Sequence, residues 1–114
     1  MDSVPIYLDH NGTTPVASEV ADAMWPYLTE LFGNPSSTSA LGRRARDAVE
    51  EARERVAALI GAQPDEITFT SGGTESNNLA IRGTAALAVH RVAVTSSVEH
   101  PATIEPLRLL EADG

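Results

Sequence analysis

The strongest constraint on the fold is the succession of patterns over residues 66–114. Residues 66–70 (EITFT) are rich in β-branched and aromatic side chains, and a Ser-Gly-Gly turn separates them from a helical pattern that begins at Thr74. Residues 91–95 (RVAVT) repeat the strand pattern, and Pro101 opens a last helix. Strand, turn, helix, strand, loop and helix make a βαβα unit. This unit predicts an α/β fold built on a parallel sheet.

The residues before this unit are predicted to be mainly helical. Thr14 and Pro15 are a typical helix start, and apolar side chains then recur at helical spacing as far as Leu28. Residues 39–60 give the clearest helix, because one face is apolar and Gly61 follows as a C-terminal cap. The opposite face carries oppositely charged pairs four residues apart, which indicates a face in contact with solvent.

The predicted sheet is incomplete within these 114 residues. Two short strands cannot form a sheet that is buried on both faces, as parallel sheets are. We therefore expect a truncated chain whose last helix ends where a further strand is due. The apolar faces left without a partner predict aggregation or weak stability.

Composition and charge exclude several classes of protein. The net charge is −8 and the sequence pI is about 4.7, which argue against nucleic acid or anionic lipid as a partner. No run approaches the roughly 18 apolar residues of a membrane span, and no secretory signal opens the chain. Cysteine is absent, so neither a disulfide framework nor a thiolate metal site is expected. These features favour a cytoplasmic protein without a bound metal.

The glycine turn carries the most chemical information. In residues 70–78 (TSGGTESNN), two glycines permit a tight turn and a close approach of the backbone to a ligand. The helix that follows offers free N–H groups and a positive dipole end, which together can bind a phosphate. Many such turns only cap a helix, and the sequence contains neither a dinucleotide-binding fingerprint nor a P-loop. Glu75 lies in the first turn, where helix capping is its ordinary role.

Four segments together identify a family. They are residues 7–15 (YLDHNGTTP), 32–37 (FGNPSS), 70–78 and 95–100 (TSSVEH). In this order and spacing they resemble the amino-terminal portion of cysteine desulfurases and selenocysteine lyases, within the class V aminotransferase group. The resemblance implies a partial fold type I architecture of pyridoxal 5′-phosphate enzymes. It also implies an N-terminal, small-domain segment over residues 1–36 near the substrate site, and an incomplete cofactor-binding large domain over residues 37–114.

The resemblance assigns pyridoxal 5′-phosphate as the cofactor and gives roles to three residues. Gly73 and Thr74 match residues that hold its phosphate. His100 matches a histidine that lies over the pyridine ring and moves protons, so it is both cofactor-binding and catalytic. Imidazole titrates near neutral pH, which suits this role, although a lone histidine in a loop is more often structural.

Three further residues match a region near the substrate in this family, namely Asn11, Thr13 and Asn34. From the residues alone, turn geometry is an equally good explanation for them. Relatives commonly have tyrosine or a small residue where His10 stands, and alanine where Gly12 stands. These departures leave open whether the substrate is L-cysteine or selenocysteine.

The implied reaction needs groups that these residues lack. A lysine forms the Schiff base with the cofactor, and a cysteine accepts the sulfur as a persulfide. All eight basic residues are arginine, which is a poor nucleophile, and cysteine is absent. The lysine absence alone is also explained by compositional drift. The intact enzyme is expected to convert L-cysteine to L-alanine as a homodimer that supplies iron–sulfur pathways through an acceptor protein. This chain alone is expected to be inactive, as a truncated remnant or as one half of a split enzyme.

Overall fold

The computed structural model describes residues 6–114, which divide into two compact units, one ending at Ile67 and the other spanning Thr68–Gly114. The first unit contains helix α1 (Ser18–Thr29), helix α2 (Ala40–Ile60) and a 3-10 helix (Pro64–Glu66), and the second contains helix α3 (Gly73–Leu87) and helix α4 (Pro101–Asp113). The assignment of residues 1–36 and 37–114 to two domains of a larger protein stays a prediction.

The predicted α/β fold, with its partial fold type I parallel sheet, is wrong for the residues that the structure describes. Residues 6–114 contain helices and no strand, and the predicted strands 66–70 and 91–95 lack pairing. Glu66 instead closes the 3-10 helix. A strand exists only where a neighbouring strand accepts its backbone hydrogen bonds, and strand propensity describes the fit of side chains to such a surface. With no such surface in their own unit, Val92 and Val94 are 81% and 95% exposed.

Helix α2 confirms the clearest helical prediction. The Ser39 hydroxyl accepts a hydrogen bond from the Gly42 N–H at 3.1 Å and so caps the first turn. Gly61 ends the helix in the left-handed conformation, with φ of 71°. The predicted apolar face is covered only in part by the described residues. Ala57 is 1% exposed, whereas Leu59 near the end of the same helix is 83% exposed.

Helix α1 begins later than the sequence predicts. Its first residue is Ser18, and the Ala17 N-cap has no side chain that could satisfy the first backbone N–H groups. The predicted start at Thr14 and Pro15 is therefore wrong by about one helical turn. Pro26 lies inside α1 without ending it, since the helix continues to Thr29.

A loop over residues 33–38 packs tightly on the start of α2. A Cβ atom placed on Gly33 would lie 2.2 Å from the carbonyl oxygen of Leu41, and one on Gly42 would lie 2.5 Å from that of Ser37. Both distances are far below van der Waals contact, so only glycine allows these backbones to meet. Arg46 closes the loop, because its guanidinium donates to the Ser37 carbonyl at 3.1 Å.

Helices α3 and α4 pack together in the second unit. The Asn77 side-chain amide donates to the Thr103 hydroxyl at 3.1 Å, which links the first turns of the two helices. Pro106 is fully buried in this unit, and Ile81 and Ile104 are half-buried. The packing thus holds the N-terminal ends of α3 and α4 in one compact structure.

Candidate functional site

The glycine turn presents backbone donors to open space. Helix α3 begins at Gly73, and Gly72 precedes it in an extended conformation. The Ser76 N–H bonds the Gly72 carbonyl at 3.1 Å, whereas the N–H groups of residues 73–75 precede any helical acceptor. Apart from the adjacent residues and the backbone of α3 itself, a Cβ atom on Gly72 or Gly73 would meet no atom of residues 6–114 within 4 Å. Three N–H groups at the positive end of the helix dipole therefore point to a place that an anion could fill.

Side chains in the first turn of α3 bond to the two residues that precede the glycine pair. The Glu75 carboxylate accepts hydrogen bonds from the Ser71 hydroxyl at 2.6 Å and the Ser71 backbone N–H at 2.7 Å. The hydroxyls of Thr70 and Ser76 lie 2.6 Å apart, within hydrogen-bond distance. The hydroxyl bond from Ser71, followed by its backbone bond, lowers the pKa of Glu75 from its ordinary value. The carboxylate is therefore charged at neutral pH.

His100 is the N-cap of α4. Its Nδ1 atom accepts a hydrogen bond from the Ala102 backbone N–H at 3.0 Å. Because an accepting nitrogen carries no proton, this bond places the proton of the neutral ring on Nε2. The ring is exposed, so Nε2 is available to a bound molecule. The same bond also satisfies one of the free donors at the start of α4.

Thr74 and His100 line one cavity, with a volume of about 300 Å³. Asn78 contributes an amide one turn after Thr74, and Glu105 contributes a carboxylate from α4. Glu105 pairs with Arg108 at 2.6 Å, which offsets part of its negative charge. The cavity brings Thr74, in the first turn of α3, together with the imidazole at the start of α4.

A larger concavity of about 460 Å³ follows α3 and offers less chemistry. Its lining is mostly apolar, and Thr84 is its one side chain that can form hydrogen bonds. Ligand sites generally combine an apolar surface with a few convergent polar groups. Size alone therefore does not select the site, and the smaller cavity is the better candidate.

The residues predicted near the substrate lie in the first unit. Thr13 donates its backbone N–H to the Asp9 carbonyl at 3.3 Å, within an exposed turn that also contains Asn11. The Asn34 side chain accepts the Ser36 N–H at 2.9 Å, which is ordinary turn geometry. Their proximity to a substrate stays a prediction, as do the roles of Gly73, Thr74 and His100.

The predicted site residues do not include two polar residues that line the cavity, Asn78 and Glu105. Asn78 follows Thr74 by four residues, so its place on the same helical face could have been read from the sequence. Glu105 could not, because its contribution depends on how α4 packs on α3. Glu75 was predicted only as a capping residue, and its two bonds to Ser71 were not foreseen.

The cavity fits part of pyridoxal 5′-phosphate. Thr74 and the His100 ring line the cavity, where the ring suits a stacked pyridine, and the free N–H groups of the adjoining glycine turn suit the phosphate. An amine for the Schiff base is missing, since none of the 114 residues is lysine. The described residues thus fit the noncovalent contacts of the cofactor and not its covalent attachment.

A family model described as aminotransferase class-V matches residues 6–114. Among similar proteins, cysteine desulfurase IscS of Dictyoglomus turgidum is 56% identical over 111 residues, which cover 96% of this chain and 28% of that protein. Mitochondrial cysteine desulfurase of Drosophila melanogaster is 50% identical over 113 residues, covering 96% of this chain and 24% of that protein. The chain thus spans about a quarter of the length of these relatives.

A solved structure shares the backbone arrangement as well. It is described as a NifS-like protein, and it superposes with a TM-score of 0.87 at 36% sequence identity. The match covers 97% of this chain and 31% of that one. The helices described above therefore recur within a considerably longer protein.

Proposed function

Because the chain belongs to the aminotransferase class-V family, as an amino-terminal portion of the cysteine desulfurase type, we propose that it forms the front part of a pyridoxal 5′-phosphate-dependent cysteine desulfurase. The intact enzyme converts L-cysteine to L-alanine and transfers the sulfur as a persulfide. The observation that carries this proposal is the single cavity that Thr74 and His100 both line.

Each residue of the site has a task in this proposal. The N–H groups of Gly73 and Thr74 hold the phosphate, and the Thr74 hydroxyl adds a further donor. His100 stacks on the pyridine ring, and its Nε2–H can donate a hydrogen bond to a bound reactant. The ring can deliver a proton only after Nδ1 has taken one up and released its bond to the Ala102 N–H. The cofactor, when bound, supplies an electron sink for carbanion chemistry. Asn11 and Asn34, together with Thr13, orient the amino acid substrate.

The remaining groups must come from outside these 114 residues. They include the Schiff-base lysine and the cysteine that receives sulfur, because this sequence contains neither residue. We propose that the intact enzyme is a cytoplasmic homodimer that passes sulfur to an acceptor protein in iron–sulfur cluster synthesis. One similar relative is named mitochondrial, so cell fractionation is the direct test of location. No helix within residues 6–114 combines the length and apolar character needed to cross a bilayer.

A second candidate is a non-catalytic product, such as an interaction module or a pseudogene remnant, whereas one half of a split enzyme would be a form of the first proposal. The absence of lysine and cysteine favours it for the isolated chain. Extensive apolar exposure, such as that of Val94 at 95%, indicates surfaces that a further polypeptide covers in the functional state. In a split enzyme that polypeptide is a separate chain.

A chimera tests the proposed activity. Residues 1–114 replace the matching segment of Dictyoglomus turgidum cysteine desulfurase, with which they share 56% identity over 111 residues. We expect the chimera to form L-alanine from L-cysteine, while the isolated chain forms none. Parallel assays with selenocysteine distinguish a selenocysteine lyase, and supplying the remainder as a separate polypeptide distinguishes a split enzyme.

The chimera also separates the two tasks of His100. The His100→Asn variant keeps an N-cap acceptor but has no titratable ring, whereas His100→Ala removes both. We expect both variants to lose most of the turnover while cofactor content falls less. A well-folded, cofactor-loaded chimera that makes no alanine would favour the remnant. Full activity of His100→Asn would limit His100 to capping.

A further inference from the structure

We infer that Glu75 is a positioning residue, which holds the glycine turn in the shape that binds an anionic group. The inference rests on the proposed function, since the anion is the phosphate bound at the start of α3. The Glu75 carboxylate bonds to Ser71 and is not one of the backbone donors offered to the anion. Its role is therefore to shape the backbone on which Gly73 and Thr74 lie.

The geometry shows how the turn is clamped. Glu75 reaches back to Ser71 and accepts both its hydroxyl and its backbone N–H. Independently, the Thr70 hydroxyl lies 2.6 Å from the Ser76 hydroxyl and 3.2 Å from the Gly72 carbonyl oxygen. Both residues that precede the glycine pair, Thr70 and Ser71, are thus tied to the first turn of α3.

The clamp is needed because the turn has little else to hold it. Glycine has more backbone freedom than any other residue, and outside the adjacent residues and the backbone of α3 no described atom lies within 4 Å of a Cβ position on Gly72 or Gly73. An unclamped turn would lose that freedom on binding, which lowers affinity. A turn already ordered by Glu75 avoids most of this cost. The lowered pKa of Glu75 agrees with a carboxylate that is bonded in its charged form.

Electrostatics and preorganisation predict opposite effects for the loss of Glu75, which makes the inference testable. A carboxylate next to an anion site repels the ligand, so a purely electrostatic Glu75 would weaken phosphate binding, and its removal would strengthen it. If Glu75 instead holds the turn in its binding shape, its removal weakens phosphate binding. Glutamine separates the two, because its side-chain oxygen can still accept from Ser71 without carrying charge.

The experiment measures inorganic phosphate binding to the full 114-residue chain through the backbone amide signals of Gly73 and Thr74, at neutral pH and constant ionic strength. We expect Glu75→Ala to weaken phosphate binding by about threefold to tenfold, which corresponds to ordering a short turn. Glu75→Gln should bind at least as well as the wild type. Glu111→Ala is the matched control, because it removes an equal charge from an exposed site on α4 outside the cavity.

Thr70 provides a second, independent pair of variants. Thr70→Val removes the hydroxyl at similar volume and should weaken phosphate binding, whereas Thr70→Ser keeps the hydroxyl and should not. Equal or tighter binding by Glu75→Ala, with α3 intact, would overturn the inference even if the wild type binds phosphate. Failure of the wild type to bind phosphate, with the Ser71 amide still bonded, would overturn the anion site and the inference with it.

Discussion

Two glycine-containing loops precede helices in this chain, and they are built in opposite ways. The loop before α2 closes on itself, since Gly33 and Gly42 meet backbone atoms at distances that exclude any side chain. The turn before α3 is open, since neither Gly72 nor Gly73 has a neighbour that a side chain would touch. Internal packing thus requires glycine in the first loop, whereas no internal contact requires it in the second.

The difference separates a glycine that packing requires from one that no internal contact requires. At Gly33 the sequence is constrained by the folded chain itself, and a substitution there costs stability. At Gly73 no internal contact requires glycine, and we propose that the open position serves a molecule that approaches the backbone. The free N–H groups at that turn identify an anion as the suitable molecule.

The largest expected effect is that of Gly33→Ala, which should lower the free energy of unfolding by about 1–3 kcal/mol through overpacking. The added methyl group would lie 2.2 Å from the Leu41 carbonyl oxygen, which belongs to a capped helix and cannot move away freely. Urea unfolding followed by circular dichroism measures the change. Gly72→Ala is the matched control and should change the unfolding free energy little. Equal losses in both variants would remove the contrast between the loops.

The second effect concerns the N-terminal cap of helix α4, one of the two helices that line the cavity. His100→Ala should lower stability by about 1 kcal/mol, because the Ala102 N–H loses its acceptor at the start of α4. His100→Asn should restore most of that loss, since asparagine is an equally good cap. Thermal unfolding of the two variants, compared with the wild type, gives the answer. Identical stability of all three proteins would mean that the cap contributes nothing.

The third effect is smaller and belongs to the closed loop. Arg46 donates to the carbonyls of Pro35 and Ser37, both at 3.1 Å, from an exposed position. Arg46→Ala should therefore cost less than about 1 kcal/mol. Arg44→Ala is the control on the same helix, because Arg44 has no hydrogen-bond or ion-pair partner within the described residues. A larger loss for Arg44→Ala than for Arg46→Ala would contradict the account.

The smallest effect is a change of the open turn with pH. Folding lowers the pKa of Glu75, so its bonds to Ser71 stabilise the turn at any pH above the ordinary glutamate pKa. That stabilisation is lost as the pH falls through the lowered pKa in the folded state. The Ser71 amide signal should follow the Glu75 carboxyl signal in one titration. Independent titration of the two signals would show that the bond is absent.

The sequence predicts local structure in this chain better than structure that depends on distant partners. The helix predicted over residues 39–60 matches α2 to within one residue, and Gly61 ends it as predicted, because caps are short-range interactions between residues of one helix. The strands predicted at 66–70 and 91–95 do not form, because pairing requires a neighbour that the described residues do not supply. The late start of α1 at Ser18 shows that a good capping pair does not by itself begin a helix.

The same distinction between local and distant interactions applies to the residues of the candidate site. The glycine turn, Thr74 and His100 were found from motifs, and the structure brings Thr74 and His100 to one cavity. Glu105 was not found, since it reaches that cavity through the packing of α4. The clamp from Glu75 to Ser71 lay within reach of sequence reasoning, because the two residues are four apart, but its double hydrogen bond required coordinates.

The most direct test of the account is a titration of the isotope-labelled chain with pyridoxine 5′-phosphate, which has the cofactor's phosphate and ring but no reactive aldehyde. We expect saturable shifts of the amide signals of Gly73 and Thr74 and of the His100 ring signals. The signals of residues 33–37 should stay unchanged. Unchanged signals at Gly73 and Thr74, or equal shifts in both loops, would contradict the claim that the open glycine turn is a phosphate site.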